Sequence, residues 1–193
     1  AERVTTHSFN EYPAGWLGND TLLIRRAGNP TVSELTFPGS TFTRLYKVAK
    51  SGGRQTLFSA ISMDHLSMAS DGRILYNNVK GYEDPWRKHH TSSIARDIYM
   101  KEGGAYKRMT TFAGEDRNPV WAPDGKGYYY LSEKDGTFNV YHSTLGGVSR
   151  QLTSFKGNPV RYLSISSNGL LSFADDGELY TMKDGAQPHK VRI

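Results

Sequence analysis

Apolar and polar residues along this chain fall into short runs, and glycine-containing turns separate the runs. The clearest unit begins at Asn118. Val120-Trp121 leads into Ala122-Pro123-Asp124-Gly125-Lys126, and Gly127-Tyr128-Tyr129-Tyr130-Leu131 follows. Asp135-Gly136 then precedes Phe138-Asn139-Val140-Tyr141-His142, and Gly146-Gly147 separates that run from Val148-Ser149-Arg150-Gln151-Leu152-Thr153. Asp-Gly is a strong reversal signal, because Gly accepts a positive φ and Asp can hydrogen-bond its own backbone. Runs of about four to six residues rich in Tyr, Phe and Val suit half-buried strands and are too short for stable helices. The unit predicts four strands joined by three tight reversals.

The same order of features recurs. Upstream, Ser70-Asp71-Gly72 precedes Arg73-Ile74-Leu75-Tyr76, followed by Asp97-Ile98-Tyr99, Gly103-Gly104 and Lys107-Arg108-Met109-Thr110. Downstream, Ser167-Asn168-Gly169 precedes Leu170-Leu171-Ser172-Phe173, followed by Glu178-Leu179-Tyr180 and Asp184-Gly185. A looser first copy has Trp16 to Asp20, Leu22-Leu23-Ile24, Leu45-Tyr46, Gly52-Gly53 and Arg54-Gln55-Thr56-Leu57. Tyr46, Tyr99, Tyr141 and Tyr180 mark the third strand of each copy, at a period of about 40 to 50 residues, as a four-stranded propeller blade requires. The expected fold is therefore all-β, a propeller of four-stranded antiparallel blades at about 8–57, 58–111, 112–154 and 155–193. Asp71, Gly72, Trp121, Asp124, Gly125, Asn168 and Gly169 form its structural blade motif.

Two connections exceed ordinary hairpin length: 26–41 in the first copy and 78–96 in the second. Long loops on a repeat scaffold are where function concentrates. Arg3-Val4-Thr5-Thr6-His7 matches Arg108-Met109-Thr110-Thr111-Phe112 and Gln151-Leu152-Thr153-Ser154-Phe155. Residues 1–7 thus read as the last strand of a preceding blade, and Val191-Arg192-Ile193 as an outer strand. With no initiator Met, the expectation is part of a larger six- or seven-bladed ring, or an arc with open edges that invite self-association.

Composition narrows the classes. With no cysteine, disulfides, thiol catalysis and Cys-ligated zinc are excluded. No apolar window is long enough to span a membrane. The net charge of +5 is scattered, and its densest basic run is Arg87-Lys88-His89-His90. A nucleic-acid surface needs a broader basic stripe with stacking aromatics, so nucleic acid is not an expected partner.

Trp121 to Lys126, with Tyr141, Gly146-Gly147 and Leu152-Thr153, resembles the WD-like blade motif of TolB and of the tricorn protease propeller. The stretch from Lys80-Gly81-Tyr82-Glu83-Asp84-Pro85-Trp86 through His89-His90 to Arg96-Asp97-Ile98-Tyr99 resembles the propeller of bacterial tricorn-type, PDZ-containing, C-terminal-processing-like serine peptidases. Gly114 to Val120 and Ser132 to Tyr141 also fit that family. The resemblance implies an exported or periplasmic multidomain hydrolase in which the propeller precedes PDZ and catalytic domains. The family's nucleophilic Ser lies beyond this sequence, so the expectation is no catalytic residue here and no cofactor.

The residues themselves agree. His89 and His90 are adjacent and lack a spaced third ligand, so they make a poor metal site. Ser92 and Ser93 stand beside them without a nucleophile elbow. Asp175-Asp176-Gly177-Glu178 reads as a hairpin rather than a calcium loop. Trp86, Arg87, Lys88, His89, His90 and Arg96 are the expected contacts to a peptide or protein partner, with Trp86 the aromatic best placed for exposure. Trp121 is expected in the core, and at least one of Tyr128, Tyr129 and Tyr130 between blades. Two functions fit: a non-catalytic module helping peptides reach or orient in a tricorn-like peptidase, or a TolB-like periplasmic scaffold for protein–protein interaction. A self-sufficient sugar or peptide hydrolase would need convergent carboxylates that the sequence does not reveal.

Overall fold

The computed structural model describes residues 2–8, 10–27, 42–82, 84, 86–192. Most of the first-copy insertion (28–41), Glu83, Pro85 and Ile193 lie outside the described residues. Four antiparallel sheets of four strands each follow chain order, and no helix occurs among the described residues. The first blade holds β1 (Tyr12–Leu17), β2 (Thr21–Arg26), β3 (Arg44–Ala49) and β4 (Thr56–Ser59). The second holds β5 (Met63–Met68), β6 (Ile74–Asn78), β7 (Ile98–Glu102) and β8 (Ala105–Arg108). In the third are β9 (Asp116–Trp121), β10 (Gly127–Ser132), β11 (Asn139–Thr144) and β12 (Ser149–Gln151). The fourth contains β13 (Arg161–Ile165), β14 (Leu171–Asp175), β15 (Glu178–Met182) and β16 (His189–Lys190).

The first strands β1, β5, β9 and β13 pack in sequence along the inner side. Among the described residues no comparable contact joins β13 back to β1. The result is a four-bladed propeller arc. Among the described residues, 2–7 form no strand. The last ladder forms at β16 and continues into Val191, whose amide donates to the Leu179 carbonyl at 2.8 Å.

One turn is built three times. Asp71 Oδ1 accepts from the Arg73 amide at 3.1 Å, Asp124 Oδ1 from Lys126 at 3.0 Å, and Asn168 Oδ1 from Leu170 at 3.2 Å. The following residues, Gly72, Gly125 and Gly169, have φ of 89, 66 and 80°. A side chain is strained in that region, which is why the motif needs glycine there.

Apolar cores sit between successive blades. Leu45 meets Met63 and Tyr76 at the first seam. At the second, Leu75, Ile98 and Met100 meet Trp121, Tyr128, Tyr130 and Tyr141. The third seam packs Tyr129, Leu131, Phe138 and Val140 against Val160, Leu163, Leu171 and Phe173. Side chains alternate along a strand, so β10 sends Tyr128 and Tyr130 towards the second blade and Tyr129 towards the fourth. Every residue of β10 is buried. Trp121 also crosses the second seam: its indole N–H donates to the Ser67 carbonyl at 3.0 Å, and the Arg73 guanidinium lies 4.6 Å from its ring centroid. By contrast β8 and β12 are short, charged and exposed, which blunts the outer edges.

Each inner strand carries a register shift. In three of them a non-glycine residue there adopts a left-handed backbone: His65, Asn118 and Tyr162, at φ of 48, 50 and 58°. Such bulges re-aim side chains and store strain near functional sites.

Candidate functional site: a groove beneath the second-blade insertion

The insertion between β6 and β7 is tied at its base. Lys80 Nζ bonds Asp97 at 2.6 Å and the Ala95 carbonyl at 2.8 Å, and Arg108 reaches the same buried Asp97 at 2.7 Å. Asp84 starts a turn by accepting from the Trp86 amide at 2.9 Å. The loop then crosses the third blade. The amide of His89, itself at φ 53°, donates to Glu133 Oε2 at 2.7 Å, and Glu133 is buried. Beyond it, Lys88 Nζ reaches the Gly157 carbonyl at 3.3 Å and the Arg161 guanidinium stacks 4.3 Å from the Trp86 ring. One loop thus bridges the second, third and fourth blades.

Glu133 holds this bridge from a buried position. Glu133→Ala is expected to speed amide hydrogen exchange over 86–92 while the exchange of β10 and β11 is unchanged; equal protection in the variant would contradict the latch.

Beneath the loop lie two clefts that share Trp86, Arg161 and Tyr162. The narrower, of about 210 Å³, is lined by His65, Arg96, Arg117 and Asn118 over an apolar floor of Leu131, Phe138 and Val160. The wider, of about 450 Å³, runs between Lys88 on the insertion and Asn158, Asp175, Asp176 and Gly177 on the fourth blade. Trp86 is 65% and Tyr162 69% exposed, so both present large aromatic surface to an incoming group.

The arginines of the narrower cleft are held in ion pairs and ring contacts. Arg117 is buried, forks onto Glu115 at 2.5 and 2.6 Å, and lies 5.0 Å from the Phe138 ring centroid. Asp64 pairs with Arg25 and, at 3.0 Å, with Arg96. Burial alone would raise the Asp64 carboxyl, yet His65, Arg25 and Arg96 together hold it below the usual carboxylate range. Burial and the surrounding Arg96, Arg25 and Arg117 push the His65 imidazole down, against the pull of Asp64. Among the described residues, no carboxylate side chain lines this cleft.

Of the residues expected at a contact surface, Trp86, Lys88 and Arg96 line the clefts, whereas Arg87, His89 and His90 do not. Arg87 and His89 are exposed and His90 is half-buried. Ser92 accepts from the Ile94 amide at 3.2 Å and shapes the loop. Asp176-Gly177 forms the two-residue turn between β14 and β15, with φ of 49 and 78°. Among the described residues, no three His, Asp or Glu side chains converge as metal ligands.

Sequence reasoning missed His65, Arg117, Arg161 and Tyr162. A signal existed: His65, Asn118 and Tyr162 stand at one offset ahead of the turn residues Asp71, Asp124 and Asn168.

No protein-family model matches the chain, and no curated protein matches it by sequence. Solved structures do. The tricorn protease aligns with a TM-score of 0.73 at 23% identity, over 93% of this chain and 17% of its own. A TolB-assigned protein from Agrobacterium tumefaciens gives 0.67 at 17% identity, over 88% of this chain and 60% of its own. The fold is a β-propeller of the tricorn and TolB kind. An oligogalacturonate lyase in complex with manganese aligns at 0.61 and 20% identity, over 97% of this chain and 54% of its own. At these identities the likeness speaks for the fold alone, and the chain spans less than two thirds of each of these structures. One propeller architecture hosts several chemistries, so function has to be argued from the groove.

Proposed function

We propose that this chain is a non-catalytic propeller module that receives a peptide beneath the 79–97 insertion, as part of a tricorn-like exported serine peptidase. The carrying observation is the narrower cleft, where three arginines and a histidine surround an apolar floor. An extended peptide bearing a carboxylate fits a cleft lined by arginines, although Arg117 and Arg96 are shared there with Glu115 and Asp64, and the aromatic walls cover apolar side chains. The PDZ and catalytic domains of the parent chain are then its covalent partners. Further blades, or a second copy, would cover the open faces of the first and fourth blades, where Trp16 and Leu179 are exposed. Residues 2–7 would serve as the outer strand of a preceding blade.

The likeness to TolB over 88% of the chain favours a second reading, in which a periplasmic protein partner occupies the same groove as a scaffold contact. Peptide binding separates the two. Trp86→Ala and Arg161→Ala should each weaken binding of a short carboxylate-bearing peptide roughly tenfold or more in fluorescence anisotropy, as expected for aromatic and Arg anchors. Unaltered affinity in both variants would remove the groove from the account.

A further inference from the structure

The arginines of the narrower cleft are engaged, but one of its polar side chains is not. His65 stands at the bulge of β5 and lines the cleft with its side chain 40% exposed, so an incoming group can reach it. Among the described residues its imidazole makes no hydrogen bond. Asp64 Oδ2 approaches Nδ1 only to 3.6 Å, beyond bonding distance, and that carboxylate is already shared by Arg25 and Arg96. The charges around the ring come from several elements: Arg25 from β2, Asp64 from β5, Arg96 from the insertion, Arg117 from β9 and Arg161 from β13. Glu115 pairs with Arg117, so four arginines stand against two carboxylates, and Trp86, Asn118 and Tyr162 complete the wall. The protein walling the ring, with Arg96, Arg25 and Arg117, holds the imidazole below its ordinary range against the pull of Asp64, so it is neutral at pH 7.

We infer that His65 is the group that meets the carboxylate of a bound peptide, and that it does so as an imidazolium. The inference rests on the peptide reading above and names the contact that the engaged arginines leave open. A carboxylate brought against the ring favours its charged form, because an opposite charge within about 4–6 Å stabilises it. Binding then draws a proton onto His65 and forms a charge-assisted hydrogen bond. By linkage, affinity rises as pH falls through the value of the bound imidazole and levels off below that of the free one. Two sources carry the carboxylate, the carboxyl terminus of a peptide and an acidic side chain.

The test measures binding of three versions of one short peptide to the 193-residue chain by calorimetry at pH 8, 7 and 6. They carry a free carboxyl terminus without acidic side chains, an amidated terminus, and an amidated terminus with one Glu. A carboxylate-bearing version is expected to bind roughly threefold to tenfold tighter at pH 6 than at pH 8, as a tenfold preference for the charged ring gives. Its binding heat should change with the ionisation heat of the buffer, which reports proton uptake. The amidated peptide without Glu should show neither effect, and whichever carboxylate version shows both identifies the source. His65→Asn suits the left-handed backbone, which Asn118 adopts at the matching position of the third blade. It should bind as the parent does at pH 8 and lose the gain at pH 6. A pH-independent affinity in the parent, or a gain that survives in His65→Asn, would overturn the role of His65 and leave peptide binding standing. Binding of no version at any pH would overturn both.

Discussion

Trp121→Ala is expected to lower stability by about 3–5 kcal/mol, the range for truncating a large buried aromatic side chain. In a domain of this size that corresponds to a fall of roughly 6 to 20 °C in Tm. Three losses coincide at this position. The indole is 6% exposed within the seam between the second and third blades, so its removal leaves a cavity among Leu75, Ile98 and Tyr128. Its N–H is the donor to the Ser67 carbonyl across that seam, and the Arg73 guanidinium loses the ring it covers. Trp121→Phe separates these effects, since it fills most of the space and lacks the donor. Its cost should be clearly smaller. Thermal melts of both variants check the order, and an unmoved Tm in Trp121→Ala would contradict the seam packing.

The second large effect is electrostatic and has the opposite sign. Asp116 begins β9 and is 2% exposed, with Oδ1 lacking a hydrogen-bond partner. Burial, with Asp97 adding to it, pushes its carboxyl up to about 6, although Ser132, Thr110 and Lys134 act the other way. A folded-state value above the unfolded one means that the folded chain holds a proton the unfolded chain has released. Stability from this group is therefore present below about pH 4 and is lost as pH rises through about 6. At pH 7 the charged form costs on the order of 3 kcal/mol. Asp116→Asn keeps the shape and removes the charge, so it should stabilise the chain at pH 7 by about 1–3 kcal/mol. It should also flatten the dependence of stability on pH between about 4 and 6. Urea titrations at pH 4.5 and 7 give both quantities. A variant less stable than the parent at pH 7 would show that Asp116 is needed as an anion.

The blades were legible because their signals are local. An Asp-Gly or Asn-Gly turn specifies its own backbone, and Asp71, Asp124 and Asn168 announce the first hairpin of three blades without reference to anything distant. Strand alternation then places Tyr128 and Tyr130 opposite Tyr129, and the third-strand tyrosines fall on β3, β7, β11 and β15. The groove was half legible. Its insertion stood out by length, and Trp86, Lys88 and Arg96 could be named from it. Where the insertion goes depends on Glu133, Gly157 and Arg161, far along the chain, and nothing in the loop encodes those partners. The left-handed conformations of His65 and Tyr162 were hidden for another reason. Tyr disfavours that backbone and His adopts it only in a minority of cases, so the bulge is imposed by the sheet around it. The burial of Asp116 was likewise hidden, because the strands packed around it are set by the fold and not by its neighbours in sequence.

The central claim is that this propeller receives peptides and does not cut them. Incubating the chain with a short carboxylate-bearing peptide, measuring binding by calorimetry and then weighing the recovered peptide by mass spectrometry tests it most directly. The account predicts saturable binding that Arg161→Ala weakens, with the peptide recovered intact. Cleaved peptide, or no binding by the parent chain, would contradict it.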